Sequence, residues 1–441
     1  MRWFHSRDGL LRHPDFRRVW VGQTVSEAGS QVSYLAIPLA AVSTLRASAF
    51  EVSLLVTMSR LPFLLFGLPA GAWCDRLRSR PVLIAGDLGR AAVLVSIPLA
   101  AAFGVLTTGQ LIAAVFLAGA LTVFFDVALQ SYVPYLVGRA RIVEANAKLE
   151  ASEKVASIAG PAIGGFLVQA LTAPFAILAD ALSFLWSVGW IRTIGMSEPP
   201  RTRRVGARLH HEIKEGLAFV FGHPTLRAIA GYGATYIFFS SAQTAIIIVF
   251  LVRSVHLSAV TIGLLGTLAS VGGVAGALSA SWIARTVGHG RALRVSVILT
   301  GVFGLLIPLS APGARLGFYV VGSAIASYGI VSFNIIQVSF RQTVCPDHLL
   351  GRMNATMRFL LLGAVPFGSL LGGALASTIG LRPTLWVSAA GALLATLWLL
   401  FTPVAMPDFD EQPRSFVPSS ARDLAKNSNH NERSSRLRSH F

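Results

Sequence analysis

Twelve apolar stretches, each long enough to cross a bilayer, divide this chain, and the loops between them carry arginine almost wholly on alternate sides. A backbone crossing hydrocarbon must satisfy its own polar groups within a helix, which takes ~20 mostly apolar residues. By that measure the spans run approximately over 19–43, 50–73, 81–104, 108–133, 147–171, 174–195, 226–252, 258–284, 292–311, 314–339, 353–378 and 382–403. Charged residues make up 13% of the chain, about half of the ~25% that a soluble domain needs to face water. The sequence therefore predicts an all-α membrane protein.

The basic residues set an orientation. Arg2, Arg7, Arg12, Arg17 and Arg18 precede the first span, and Arg76, Arg78 and Arg80 fill the second loop. Arg139 and Arg141 lie in the fourth, Arg201, Arg203, Arg204 and Arg208 in the sixth, Arg285, Arg291 and Arg294 in and around the eighth, and Arg341 and Arg352 flank the tenth. The odd-numbered loops hold only Arg46, Arg253, Arg315 and Arg382. This bias predicts that both termini face the cytoplasm and that the number of spans is even. It also accounts for the net charge of +17 without nucleic acid as a partner. Cys74 and Cys345 fall on the expected cytoplasmic side, where a structural disulfide is disfavoured. The polar, basic stretch from Met1 to Arg18 does not read as a cleavable signal peptide.

The chain repeats itself at an offset of 208–210 residues. His13-Pro14-Asp15-Phe16-Arg17 returns as His223-Pro224-Thr225-Leu226-Arg227, Asn146-Ala147 as Asn354-Ala355, and Gly164-Gly165 as Gly372-Gly373. The expected organisation is two pseudo-symmetric six-helix bundles, 1–195 and 224–404. They are joined by a cytoplasmic linker, 196–223, with an amphipathic helix lying on the membrane face. A basic tail, 405–441, is poor in apolar residues and predicted to be disordered.

Gly71-Ala72-Trp73-Cys74-Asp75-Arg76-Leu77-Arg78-Ser79-Arg80, between spans two and three, resembles the G-x-x-x-D-R-x-x-R-R signature of the major facilitator superfamily. Gly160-Pro161-Ala162-Ile163-Gly164-Gly165 resembles the G-P-x-x-G-G motif of that superfamily's exporters. Phe124 to Pro134, followed by Glu144-Ala145-Asn146-Ala147, is similar to its enterobactin-exporter and macrolide-efflux branch. The resemblance covers residues 10–403 and implies secondary active export through a cavity between the two bundles. Two positions depart from the pattern: the fourth span has no arginine, and Ala156 stands where a glycine is expected. Proton coupling is thus implied by the resemblance, not read from a motif.

Each motif has a mechanical reading and a plainer one. Gly71, Asp75, Arg76, Arg78 and Arg80 would form a cytoplasmic latch, with Asp75 against a helix N-terminus or Arg358, or would only fix topology. Gly160, Pro161, Gly164 and Gly165 would let a helix approach closely and bend, or would serve packing alone.

Ionisable residues inside spans are costly and default to functional candidates. Glu27, Arg60, Asp87, Arg90 and Asp126 qualify, Asp87 and Arg90 as an i, i+3 ion pair. Asp126 falls, at offset 208, on Asn334, which is nearly its shape but cannot titrate. Asp126, then Glu27, is therefore the expected proton carrier, with Arg60 as the approaching cation, or else part of a buried structural pair. Gln130, Gln243, Asn334 and Gln337, with Tyr236, Phe238 and Phe239, are candidate cavity-lining groups.

The expected function is secondary active export of a small organic molecule (drug, siderophore or metabolite), by antiport of a proton or another coupling ion, in the plasma (inner) membrane. A lipid or lysolipid flippase, or a solute importer, is the alternative on the same fold. No G-x-x-x-x-G-K-[ST] run or H-E-x-x-H is present, and the histidines are scattered. Neither an enzyme, a metal site nor a cofactor is expected, and the expected form is a monomer in the lipid bilayer.

Overall fold

The computed structural model describes residues 9–74, 77–138, 141–196 and 209–402. Fourteen α-helices follow in order: α1 Pro14–Leu39, α2 Ala49–Cys74, α3 Ser79–Ala102, α4 Thr108–Val137, α5 Ile142–Leu171, α6 Ala173–Arg192 and α7 Leu209–Gly222. Then come α8 Pro224–Arg253, α9 Ala259–Val287, α10 His289–Gly304, α11 Leu316–Val344, α12 Asp347–Thr378, α13 Leu381–Leu394 and α14 Leu397–Leu400. The predicted spans fall on these helices, with α13 and α14 together making the last. A π-helical turn, Ala40–Thr44, extends α1.

Among the described residues, eleven helical stretches are long and apolar enough to cross a membrane. The twelfth, α1, has 26 residues. It is less apolar because Gln23, Thr24, Ser26, Glu27, Ser30, Gln31 and Ser33 all face one internal cavity. The outer surface is the reverse of a soluble protein's, with Leu278 80% exposed, Phe166 64%, Phe367 63% and Trp282 61%. So much outward apolar area requires lipid around it.

The repeat governs the packing. In the first half α1 packs on α5 and α6, α2 on α4, and α3 on α4 and α6; in the second α8 packs on α12 and α13, α9 on α11, and α10 on α11 and α13. The backbone repeats as well. Among the described residues, six of the eight with positive φ come in pairs at this offset: Arg46 (φ 52°) with His256 (φ 58°), Gly104 (69°) with Gly313 (76°), and Thr172 (70°) with Gly380 (90°). For Arg46, Thr172 and His256 this conformation costs roughly 1–2 kcal/mol each, so the packing must impose it. After Arg46, Ala47 N donates to Ala41 O at 2.8 Å, and after His256, Leu257 N donates to Leu251 O at 3.0 Å. The same chain reversal is thus built twice from unrelated residues.

The halves meet along two reciprocal seams, α5 on α9 and α2 on α12. Both seams rest on small residues. A Cβ on Gly165 would come 2.5 Å from Ala259 O, and one on Gly373 would come 2.5 Å from the Ser53 Cβ. Arg253 Nη2 donates to Ala47 O at 2.6 Å across the same end of the molecule.

Candidate functional site

A cavity of about 980 Å³ is walled, among the described residues, by the first half. Helical periodicity explains its polar walls, because residues three and four apart share a face. Gln23, Glu27, Gln31 and Tyr34 form one stripe on α1; Thr122, Asp126 and Gln130 form another on α4; Asn146, Glu150 and Glu153 form a third on α5. α2 supplies Ser59, Arg60 and Phe63, α3 supplies Arg90 and Leu94, and α6 supplies Asp180 and Phe184. A space of this volume is at the upper end of drug-sized ligand sites.

The ionisable groups in the wall are held differently. Glu27 Oε1 accepts from Gln31 Nε2 at 3.2 Å. Asp180 is 2% exposed, and its Oδ1 accepts from Ser30 Oγ at 3.2 Å and Ser183 Oγ at 3.4 Å. Lys154 pairs with Glu150 at 3.0 Å and Glu153 at 3.2 Å. Asp126 is half-buried and, among the described residues, has no hydrogen bond or ion pair. The charges that act on it are, in order, Arg90, Glu27, Arg358 and Glu153. Arg358 belongs to α12, so the other half already reaches Asp126 electrostatically.

The Asp87–Arg90 pair forms as expected and is buried. The Arg90 guanidinium lies between two rings, 4.2 Å from the centroids of Phe125 and Phe184. Its Nη1 also donates to Thr122 Oγ1 at 3.4 Å. Two aromatic faces and a carboxylate hold one cation rigidly beside the cavity. Arg60, the cation expected to approach Asp126, is exposed on the wall of this conformation. Among the described residues it has no ion pair; Arg90 is the larger influence on Asp126.

The G-P-x-x-G-G segment has two working faces. A Cβ on Gly160 would meet the Gln31 Cβ at 2.3 Å, and one on Gly164 the Val32 Cα at 3.3 Å, so these residues press α5 onto α1. Pro161 and Gly165 face the other half instead: a Cβ on Gly263 of α9 would come 2.2 Å from Pro161 O and 3.1 Å from the Gly165 Cα. In the second half Gly368 and Gly372 press α12 onto α8 while Gly373 faces α2.

Asp75 and Arg76 lie outside the described residues. Gly71 sits in the last turns of α2 with open space where a side chain would stand. Arg78 is the residue before α3, and Arg80 Nη2 donates to Arg192 O at 2.7 Å, capping the end of α6.

The cavity-lining candidates do not converge. Gln130 lines the large cavity. Asn334 and Gln337 line a separate space of about 90 Å³ in the second half, with Tyr232, Tyr236 and Phe333. Gln243, half-buried on α8, lines neither. Asp180, Glu150 and Glu153 are wall residues that do not figure among the candidates from sequence. An acid inside a span marked Asp180, and the three- and four-residue spacing from Asn146 marked the α5 stripe.

Between the halves, Thr267 Oγ1 donates to Ile158 O at 2.9 Å, Ser270 Oγ to Ser157 O at 3.3 Å, and Val260 N to Gln169 Oε1 at 3.5 Å. With the Arg253–Ala47 bond, these close the end formed by the first and seventh loops. The cavity extends the other way, to Pro134 and Asn146 near the fourth loop. At that end α7 is tied to α12 by an ion pair between Glu215 and Arg352.

Comparison with known proteins agrees with this architecture. A family model described as a transmembrane secretion effector matches residues 8–431. The multidrug efflux pump Tap of Mycolicibacterium fortuitum is 30% identical over 388 residues, covering 85% of this chain and 92% of that protein. The enterobactin exporter EntS of Citrobacter koseri is 25% identical over 423 residues, 93% and 97% of the two chains. Among solved structures, a bacterial homologue of the iron transporter ferroportin in an inward-facing state superposes with a TM-score of 0.72. That match is at 17% identity, over 89% of this chain and 99% of that one, and shows the fold alone.

Proposed function

The chain belongs to the transmembrane secretion effector family of the major facilitator superfamily, and we propose that it exports a small organic molecule by proton antiport with alternating access. The observation that carries this reading is Asp126. It stands in the cavity wall without a bonded partner among the described residues, under the charges of Arg90 of its own half and Arg358 of the other. A carboxylate so placed responds both to cargo and to movement of the opposite bundle.

Both termini face the cytoplasm in this reading, so the closed end is outward and the cavity opens inward. Cargo enters from the cytoplasm against Glu27, Asp126 and Gln130. Five wall carboxylates (Glu27, Asp126, Glu150, Glu153 and Asp180) face two arginines, Arg60 and Arg90; Asp87 neutralises Arg90, and Lys154 offsets one charge of Glu150 and Glu153. That balance favours cargo carrying positive charge. Rocking about the α5–α9 and α2–α12 seams then opens the outer end. Asp126, with Glu27 as second carrier, takes a proton when cargo leaves and releases it to the cytoplasm when cargo binds. The latch of Gly71, Asp75, Arg76, Arg78 and Arg80 closes the inner end, with Arg358 facing the approaching half. The functional units are the bundles 1–195 and 224–404 joined by 196–223, and a monomer suffices because one chain encloses the passage.

Inverted vesicles containing the protein test the reading. Accumulation of a cationic dye should rise with an inside-acid gradient and collapse with a protonophore. Gradient-independent accumulation, or none for cationic and neutral compounds alike, would refute it.

A further inference from the structure

The second half contains a buried cation that has no ion-pair partner among the described residues. Arg341, on α11, exposes 9% of its surface. Residues 224–404 hold a single acid, Asp347, and among the described residues Arg341 makes no ion pair. Its buried Nε has no hydrogen-bond acceptor. A guanidinium removed from water without a counter-charge is strongly unfavourable. One turn earlier on the same helix face is Gln337, 5% exposed, whose Oε1 also lacks a partner.

Both side chains line the 90 Å³ space, and they do so with other hydrogen-bonding groups. Tyr232, fully buried, supplies a phenol, and Asn334, exposed, supplies a second amide. Turning the Gln337 amide about its last bond exchanges acceptor for donor without changing its shape. The space is then bordered by a guanidinium, two amide NH₂ groups and a phenol O–H. Phe333, Met357 and Leu361 make up the apolar remainder. Its volume is roughly that of three water molecules at ~30 Å³ each, far below a drug-sized cargo. One positive charge balances one negative charge, so a monoanion fits better than phosphate or sulfate.

We propose that Arg341, Gln337, Asn334 and Tyr232 form a binding site for one small monovalent anion, either free chloride or a carboxylate group. The site is separate from the cargo cavity, whose described lining lies in the other half, and the bound anion supplies a counter-charge to Arg341. It does not depend on Asp126.

The test uses the full-length protein in lipid nanodiscs, in potassium sulfate buffer, titrated with radiolabelled chloride and in parallel with radiolabelled acetate. Saturable binding of about one anion per chain is expected in wild type and in Asp126→Asn. Affinity should fall at least tenfold in Arg341→Gln and severalfold in Gln337→Leu, a nearly isosteric change that keeps the charge and serves if Arg341→Gln does not fold. Chloride binding without acetate binding assigns the site to the free ion, and comparable binding of both assigns it to carboxylates. The proposal is overturned if neither anion binds saturably, leaving the space to water, or if Arg341→Gln and Gln337→Leu bind chloride as wild type does.

Discussion

The two halves share a helix order, a packing pattern and even their strained turns, yet they differ in where charge is placed. The first half carries Glu27, Asp87, Asp126 and Asp180 inside its helices and borders a cavity of about 980 Å³. Of the chain's 20 acids, residues 224–404 retain only Asp347, and their cavity of about 90 Å³ is edged by tyrosine, amide and arginine. Duplication conserved what closes the molecule, namely small residues at Gly165 and Gly373 and the reversals at Arg46 and His256. It did not conserve what titrates. In the proposed mechanism one half carries the proton and cargo chemistry while the other supplies a moving wall of fixed charge.

The comparison breaks most directly at Asp126 and Asn334. Asp126→Asn should reduce gradient-driven transport by a hundredfold or more while leaving cargo binding within a few fold. Exchanging the pair, as Asp126→Asn with Asn334→Asp, should not restore it. Recovery in the exchanged protein would show that the halves are interchangeable; uptake in proteoliposomes measures it.

The buried pair comes next. Asp87→Asn leaves Arg90 without its carboxylate between Phe125 and Phe184. Removing one partner of a buried pair costs about 3–5 kcal/mol, so the melting temperature in detergent should drop by many degrees. The second half has no such pair to lose, because Val297 and Thr300 of α10 stand 210 residues after Asp87 and Arg90.

The seams should respond alike. Gly165→Leu forces a side chain onto Ala259 O, and Gly373→Leu forces one onto Ser53. Each should hold the outer end open, raise thiol labelling of a cysteine placed at Gln31 from outside, and slow transport about tenfold. Unequal effects would mean that the two seams do not work as a pair.

The smallest effect belongs to Glu215→Gln. The Glu215–Arg352 pair is partly exposed, with side-chain exposures of 41% and 34%. Such pairs contribute about 0–1 kcal/mol. Transport should change less than twofold, which the same uptake assay reads.

Helix positions, the repeat and the exporter motifs were legible in the sequence because membrane crossing imposes a length and a polarity that few residues can disguise. Asp126 and Glu27 were legible for the same reason, since an acid inside hydrocarbon stands out. Which acids share a wall was not. The role of Arg90 depends on Phe125 of α4 and Phe184 of α6, brought together by tertiary packing that no local spacing records. Asp180 was overlooked although it lies inside a span, and Ser30 and Ser183 satisfy it from two helices. The confinement of the cavity to one half was equally hidden, because Gln130 and Gln337 look equivalent until their helices are packed. The break between α13 and α14 has no proline to announce it.

The decisive measurement is cargo-evoked proton release from the detergent-purified protein in weakly buffered solution. Adding a transported cationic compound should release close to one proton per chain from wild type and from Asn334→Asp, and none from Asp126→Asn. Undiminished release from Asp126→Asn would place the coupling carboxylate elsewhere and remove the proposed division of labour between the halves.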